Sequence, residues 1–84
     1  MKNSMFEPMT RYYFHTIQGL QTFRDMVGIE LADEATAWSE ATRACGEMIA
    51  AIDGTLPVGS DWIMEIEDNF GPLFRIRFGG ERLR

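Results

Sequence analysis

The feature that most constrains the fold is a pair of alternating segments, residues 61–67 and 72–78. Each carries large apolar residues at every second position: Trp62, Met64 and Ile66 in the first, and Phe74, Ile76 and Phe78 in the second. Side chains alternate across a strand, so a one-residue slip in pairing would expose the whole apolar set. The two apolar faces meet when Ile66 lies opposite Phe74, which also places Glu65 opposite Arg75. The segments therefore predict an antiparallel hairpin with a three-residue loop, 69–71, that ends in the glycine a bulged turn requires.

A second segment, residues 33–52, has helical periodicity and contains no proline. Small and apolar residues recur along one side at a spacing of three to four: Ala37, Ala41, Ala44, Cys45, Met48 and Ile52. Asp33 suits the N-cap position, and Gly54 suits the left-handed position after the last turn. A helix side so rich in alanine can lie close to a sheet, with the strands supplying the large core residues. We therefore expect one long helix, Asp33–Ile52, packed over one face of a sheet.

The N-terminal half contains a third strand signal. Residues 10–17 are dense in aromatic and β-branched side chains. A turn over 18–21 leads to a short partner strand at 22–24, and residues 25–32 are interpreted as an irregular connector. The order predicts an α+β domain, ββαββ, in which two hairpins form an antiparallel sheet and the helix covers one face.

Length and composition limit the class of protein. A chain of 84 residues makes a single domain, for which we expect a flexible extension at 1–8, a folded domain at 9–78 and a basic tail at 79–84. Met9 is an alternative start. One cysteine cannot form an internal disulfide, and no segment resembles a signal peptide or a membrane span. These features favour a cytoplasmic protein without a membrane partner.

Several short motifs resemble a known family. They are the opening Arg11-Tyr12-Tyr13-Phe14-His15, the segment Asp25 to Leu31 with Gly28 and Glu30, and Asp33 at the start of an alanine-rich helix. They are similar to the Met-x-Arg-Tyr-Phe-Phe-His opening and the Asp-x-x-Gly-x-Glu-Leu segment of short, mainly alphaproteobacterial proteins catalogued as domain of unknown function 6894. The resemblance covers roughly residues 9–78 and departs at 19–21, where family members often carry an Asp-Gly turn. It implies no activity, because the family has none assigned.

The residue types indicate no catalytic, cofactor or metal site. His15 is the only histidine, the serines lack a nucleophile elbow, and Cys45 lies on the buried helix stripe. One histidine and one cysteine fall short of a zinc ligand set, and no glycine-rich phosphate loop is present. An enzyme that uses His15 is the weakest of three hypotheses, and we expect no enzyme.

The favoured hypothesis is a non-enzymatic interaction or scaffold domain that forms a homodimer. The helix covers one sheet face, and the opposite face offers an apolar set that a partner would bury. The candidate interface residues are Tyr13, His15, Ile17, Ile63 and Leu73. A protein partner other than a second copy is also compatible with this face.

The second hypothesis is a regulatory, antitoxin-like module that binds nucleic acid. The candidate contacts with an anionic partner are Arg75, Arg77, Arg82 and Arg84. The net charge of −5 opposes this hypothesis, because nucleic-acid binders usually carry the opposite sign.

Overall fold

The computed structural model describes residues 9–84, and the expected extension, residues 1–8, lies outside the described residues. Its elements are β1 (Thr10–Gln18), β2 (Gln21–Phe23), β3 (Ile29–Leu31), α1 (Glu34–Ile52), β4 (Asp61–Asp68) and β5 (Gly71–Gly79). The predicted α+β class is confirmed. One expectation is corrected, because the supposed connector 25–32 contains the short strand β3.

The sheet is antiparallel and is organised around β1. The strand order is β2-β1-β4-β5, and β3 pairs with the first three residues of β1. The last three residues of β1 pair with β2 on one side and with β4 on the other. β5 lies at the far edge of the sheet and pairs with β4.

The β4–β5 hairpin has the predicted register over most of its length. Ile66 lies opposite Phe74, and Glu65 lies opposite Arg75 with 2.6 Å between their charged groups. The register shifts between Ile66 and Glu67, so that Asp68 pairs with Gly71 and the loop is one residue shorter than predicted. Gly71 has a φ of +110°, which confirms that the turn needs a glycine there.

Helix α1 begins and ends as its sequence predicts. The Asp33 carboxylate accepts the N–H of Thr36 at 2.8 Å, and the chain leaves the helix through left-handed conformations at Asp53 and Gly54. The buried helix residues pack against large side chains of β1 and β4. The core consists of Tyr12, Ala37, Ala41, Cys45, Met64 and Ile66.

α1 is too polar to span a membrane, and within residues 9–84 there is no helix with the length and hydropathy to do so.

Candidate interaction site beside His15

One edge of β1 is interrupted in its middle. β2 and β3 both pair with β1, but their registers along β1 differ by two residues. Residues 24–28, which connect β2 to β3, therefore leave the sheet opposite Tyr13–His15. We call residues 24–28 the edge loop. A break of this kind leaves backbone groups of the neighbouring strand without a ladder partner, and other groups must satisfy them.

Asp25 satisfies these groups with its side chain. One carboxylate oxygen accepts the N–H of Phe14 at 3.2 Å, and the other accepts the N–H groups of Val27 at 3.0 Å and Gly28 at 2.9 Å. Partial burial raises the pKa of Asp25, but the N–H donors of Gly28, Val27 and Phe14 and the nearby His15 outweigh it and hold this pKa below its usual value. The carboxylate therefore takes the place of a missing strand.

Gly28 and Arg11 fix the other end of the edge loop. Gly28 has a φ of +72°, and a Cβ there would lie 2.9 Å from the carbonyl oxygen of Tyr12. The Arg11 guanidinium donates to the carbonyl oxygen of Val27 at 2.7 Å and to the Glu30 carboxylate at 2.8 Å. The loop is thus tied to β1 by backbone, carboxylate and guanidinium contacts.

His15 is buried beneath the edge loop, with 4 % of its surface exposed. Its Nδ1 accepts the backbone N–H of Asp25 at 3.0 Å, which leaves Nε2 to carry the proton and donate to Glu67 at 2.7 Å. Arg24 lies 3.7 Å from the same Glu67 carboxylate, and the Tyr13 ring lies parallel to the imidazole at 6.5 Å. Both ring nitrogens of His15 are therefore engaged within the chain.

The structure separates the five predicted interface residues into two groups. Tyr13, Ile17 and Ile63 are half-buried and lie in paired strands at positions of the helix-free face. His15 is buried within the chain, and Leu73 lies beside the register shift and packs against the hydrophobic core. The first group remains available to a partner, whereas the second serves the fold of the single chain.

Exposed apolar side chains lie on the edge loop beside this face. Met26 and Val27 expose 81 % and 75 % of their surfaces. Phe23 and Ile29 in the flanking strands are also exposed, but they lie opposite Thr16 and Tyr12 and therefore belong to the helix side of the sheet. The loop residues were not predicted, because residues 25–32 were interpreted as an irregular connector. The signal was the consecutive apolar pair in a segment where turn residues are expected.

The predicted anionic-partner contacts have different surroundings. Arg75 forms an ion pair with Glu65, so its charge is partly offset within the hairpin. Arg77, Arg82 and Arg84 are exposed and make no ion pair with another residue in the range 9–84. The arginines therefore do not form one uniform basic patch.

Metal-ligating side chains do not converge in the part of the chain that the structure describes, where no three His, Cys, Asp or Glu residues are placed to hold an ion. Cys45 is buried and its Sγ lies 3.8 Å from the Met64 sulfur. Burial raises the pKa of the Cys45 thiol.

Comparison with known proteins agrees with the resemblance in the sequence. No curated protein and no solved structure matches the chain significantly. The profile of one family, described as a domain of unknown function (DUF6894), matches residues 11–79, which include the helix and, apart from Thr10, every strand residue described above. Because this match covers most of the chain, the protein belongs to the DUF6894 family.

Proposed function

We propose that this protein is a non-enzymatic, cytoplasmic interaction domain that acts as a homodimer. Its contact surface consists of the helix-free sheet face at Tyr13, Ile17 and Ile63, together with the exposed residues Met26 and Val27 of the edge loop. The observation that carries the proposal is the exposure of these two consecutive loop residues, of which Met26 lines the same groove as Tyr13.

The edge loop is a suitable contact element because it is held in one conformation before any partner arrives. Three backbone N–H groups bind the Asp25 carboxylate, and Arg11 binds the carbonyl oxygen of Val27. An apolar side chain on a preorganised loop loses little conformational freedom when it becomes buried. Exposed apolar residues with charged neighbours, here Arg24 and Glu67, are typical of a specific contact.

The state of His15 supports an interaction role over catalysis. A general base or nucleophile needs a ring nitrogen within reach of a substrate. In this chain Nδ1 accepts a backbone N–H and Nε2 contacts Glu67, and the ring is buried. His15 is thus used to join β1, β4 and the edge loop.

The mass of the protein in solution at micromolar concentration, measured by light scattering, tests the proposal. We expect a dimer for the parent and a monomer for Val27→Lys, because the new charge would lie in the contact. Val58→Lys is the matched control, since Val58 is 72 % exposed against 75 % for Val27 and lies in a different loop. A monomeric parent, or equal effects of the two variants, contradicts the proposed surface.

The second candidate function, regulatory nucleic-acid binding, is supported by the exposure of Arg77, Arg82 and Arg84. The net charge of −5 and the ion pair of Arg75 weigh against it. A salt titration with duplex DNA separates the two functions. Counterion release would make the binding constant fall steeply with salt, whereas an interaction domain shows no binding at physiological salt.

A further inference from the structure

The outer edge of β5 is the edge of the sheet that lies farthest from the edge loop. β5 is nine residues long, and β4 is its one strand partner within residues 9–84. The Gly80 N–H donates to Ser60 across the same ladder. Because backbone groups alternate in direction along an antiparallel strand, those of Arg75 and Arg77 point away from β4. Among the residues that the structure describes, no strand pairs with the hydrogen-bonding groups of these two residues.

The two faces beside this edge have distinct chemistry. On the helix side, an open, mainly apolar cleft is lined by Ala35, Trp38 and Phe74, with Glu34 at its border and the rings of Trp38 and Phe74 5.0 Å apart. Trp38 remains 42 % exposed although it belongs to the helix that covers the sheet. On the helix-free side, β5 carries Arg75 and Arg77. A strand added here would meet an apolar cleft on one face and guanidinium groups on the other.

We propose that the outer edge of β5 binds an extended segment of a partner protein as an additional strand. The segment has acidic side chains at alternate positions and apolar side chains between them. Strand β4 shows what β5 accepts on its other edge: Met64 and Ile66 lie opposite apolar residues, and Glu65 forms an ion pair with Arg75. Ile63 lies opposite Arg77 in that ladder, so the partner segment differs from β4 at this position: its acidic side chains lie beside Arg77 and Arg75, and its apolar side chains face the cleft at Trp38.

A second copy of this chain does not suit the edge where the arginines lie at the centre of the pair. In a two-fold antiparallel β5–β5 pair centred on Arg75 or Arg77, that arginine lies opposite its own copy, and in a pair centred on Ile76, Arg75 lies opposite Arg77. Like charges directly opposite one another destabilise a strand pair. The arginines thus disfavour self-pairing and favour an acidic partner, which makes this surface independent of the dimer contact proposed above.

A peptide with the sequence of Asp61–Asp68 and the substitution Ile63→Glu, which places acidic residues opposite Arg77 and Arg75, is the probe, labelled with a fluorophore and titrated with the full-length protein. We expect saturable binding that weakens about fivefold when the acidic residue at position 63 or at position 65 is replaced by lysine, as expected for loss of one cross-strand ion pair. N-methylation of alternate peptide nitrogens removes the ladder hydrogen bonds and is expected to abolish binding. An affinity that is unchanged by the lysine substitution or by the N-methylation overturns the proposal.

Variants of the protein locate the site. Arg77→Glu is expected to weaken the acidic peptide and to strengthen the lysine-substituted peptide, whereas Trp38→Ala weakens both. Arg82→Glu is the control, because Arg82 lies in the tail beyond β5 and its loss leaves the edge intact. The Val27→Lys variant keeps peptide binding whether or not it dimerises, which separates this test from that of the dimer. Equal effects of Arg77→Glu and Arg82→Glu, or competition by duplex DNA, contradict the strand-addition site.

Discussion

Replacing Gly28 with alanine tests how closely the edge loop approaches β1. A Cβ at this position would lie 2.9 Å from the carbonyl oxygen of Tyr12 and from side-chain atoms of Arg11 and Tyr13. The side chains can move aside, but the carbonyl oxygen belongs to a strand that pairs with β3. Left-handed backbone strain costs about 1–2 kcal/mol, and overpacking costs about 1–3 kcal/mol. We expect Gly28→Ala to lower the free energy of unfolding by about 2–5 kcal/mol, a large share of the roughly 4–13 kcal/mol available to a domain of this length.

Gly19→Ala is the matched control. Gly19 also has a positive φ, +61°, but a Cβ there would meet nothing within 4 Å. This variant carries the backbone strain alone, so the difference between the two variants isolates the contact with β1. A difference of 1 kcal/mol corresponds to about 4–8 °C in a domain of this size, and we expect Gly28→Ala to melt at least about 4 °C below Gly19→Ala. Thermal unfolding followed by circular dichroism measures both. Equal melting temperatures refute the close approach of the loop to the strand.

Three further predictions concern the fold and its titratable groups. Gly71→Val is expected to lower the free energy of unfolding by roughly 1 kcal/mol or more, because it forces a β-branched residue to positive φ; unchanged melting contradicts the turn geometry. Asp25→Asn is expected to destabilise at neutral pH and to do so less in acid. The lowered pKa of Asp25 means that its contribution is present above the ordinary value of 3.8 and is lost as pH falls through the folded-state value; a difference in unfolding free energy that is constant with pH contradicts this. Cys45 is expected to react slowly with a thiol reagent in the native protein and rapidly in urea, since the thiol is buried and its pKa is raised; a native rate equal to that of free cysteine contradicts its burial.

The β4–β5 hairpin was predictable because several local signals agree on one register. Alternating apolar positions, the Glu65–Arg75 pair and Gly71 each specify the same alignment. Leu73 differs from the position that strict alternation predicts, because it packs against the core instead of lying with Tyr13 and Ile63. Side chains alternate strictly between the two faces only where the hydrogen-bond ladder is unbroken. The register shift between Ile66 and Glu67 breaks the ladder between β4 and β5.

The surroundings of His15 were beyond the reach of the sequence, because they depend on contacts between distant segments. The pairing of Tyr13 with Glu67 brings that carboxylate to the imidazole, and no sequence signal specifies that β4 lies beside β1. Asp25 contacts the ring of His15. The contact uses the backbone N–H, while the carboxylate binds other backbone groups. Only the geometry of the edge loop determines which part of the residue faces the histidine.

The residue types at Asp25 and Gly28 are explained by their positions at the edge of the sheet. Asp25 and Gly28 both stabilise the backbone of this edge. Asp25 supplies a carboxylate in place of a strand, and Gly28 permits the loop to approach Tyr12. An exposed strand edge invites pairing with other chains, and covering it limits such contacts. This edge is closed by side chains of the edge loop, whereas the outward-facing backbone groups of Arg75 and Arg77 in β5 have no strand partner within residues 9–84. A partner that adds a strand is therefore expected at β5, and one that buries apolar side chains is expected at Met26 and Val27.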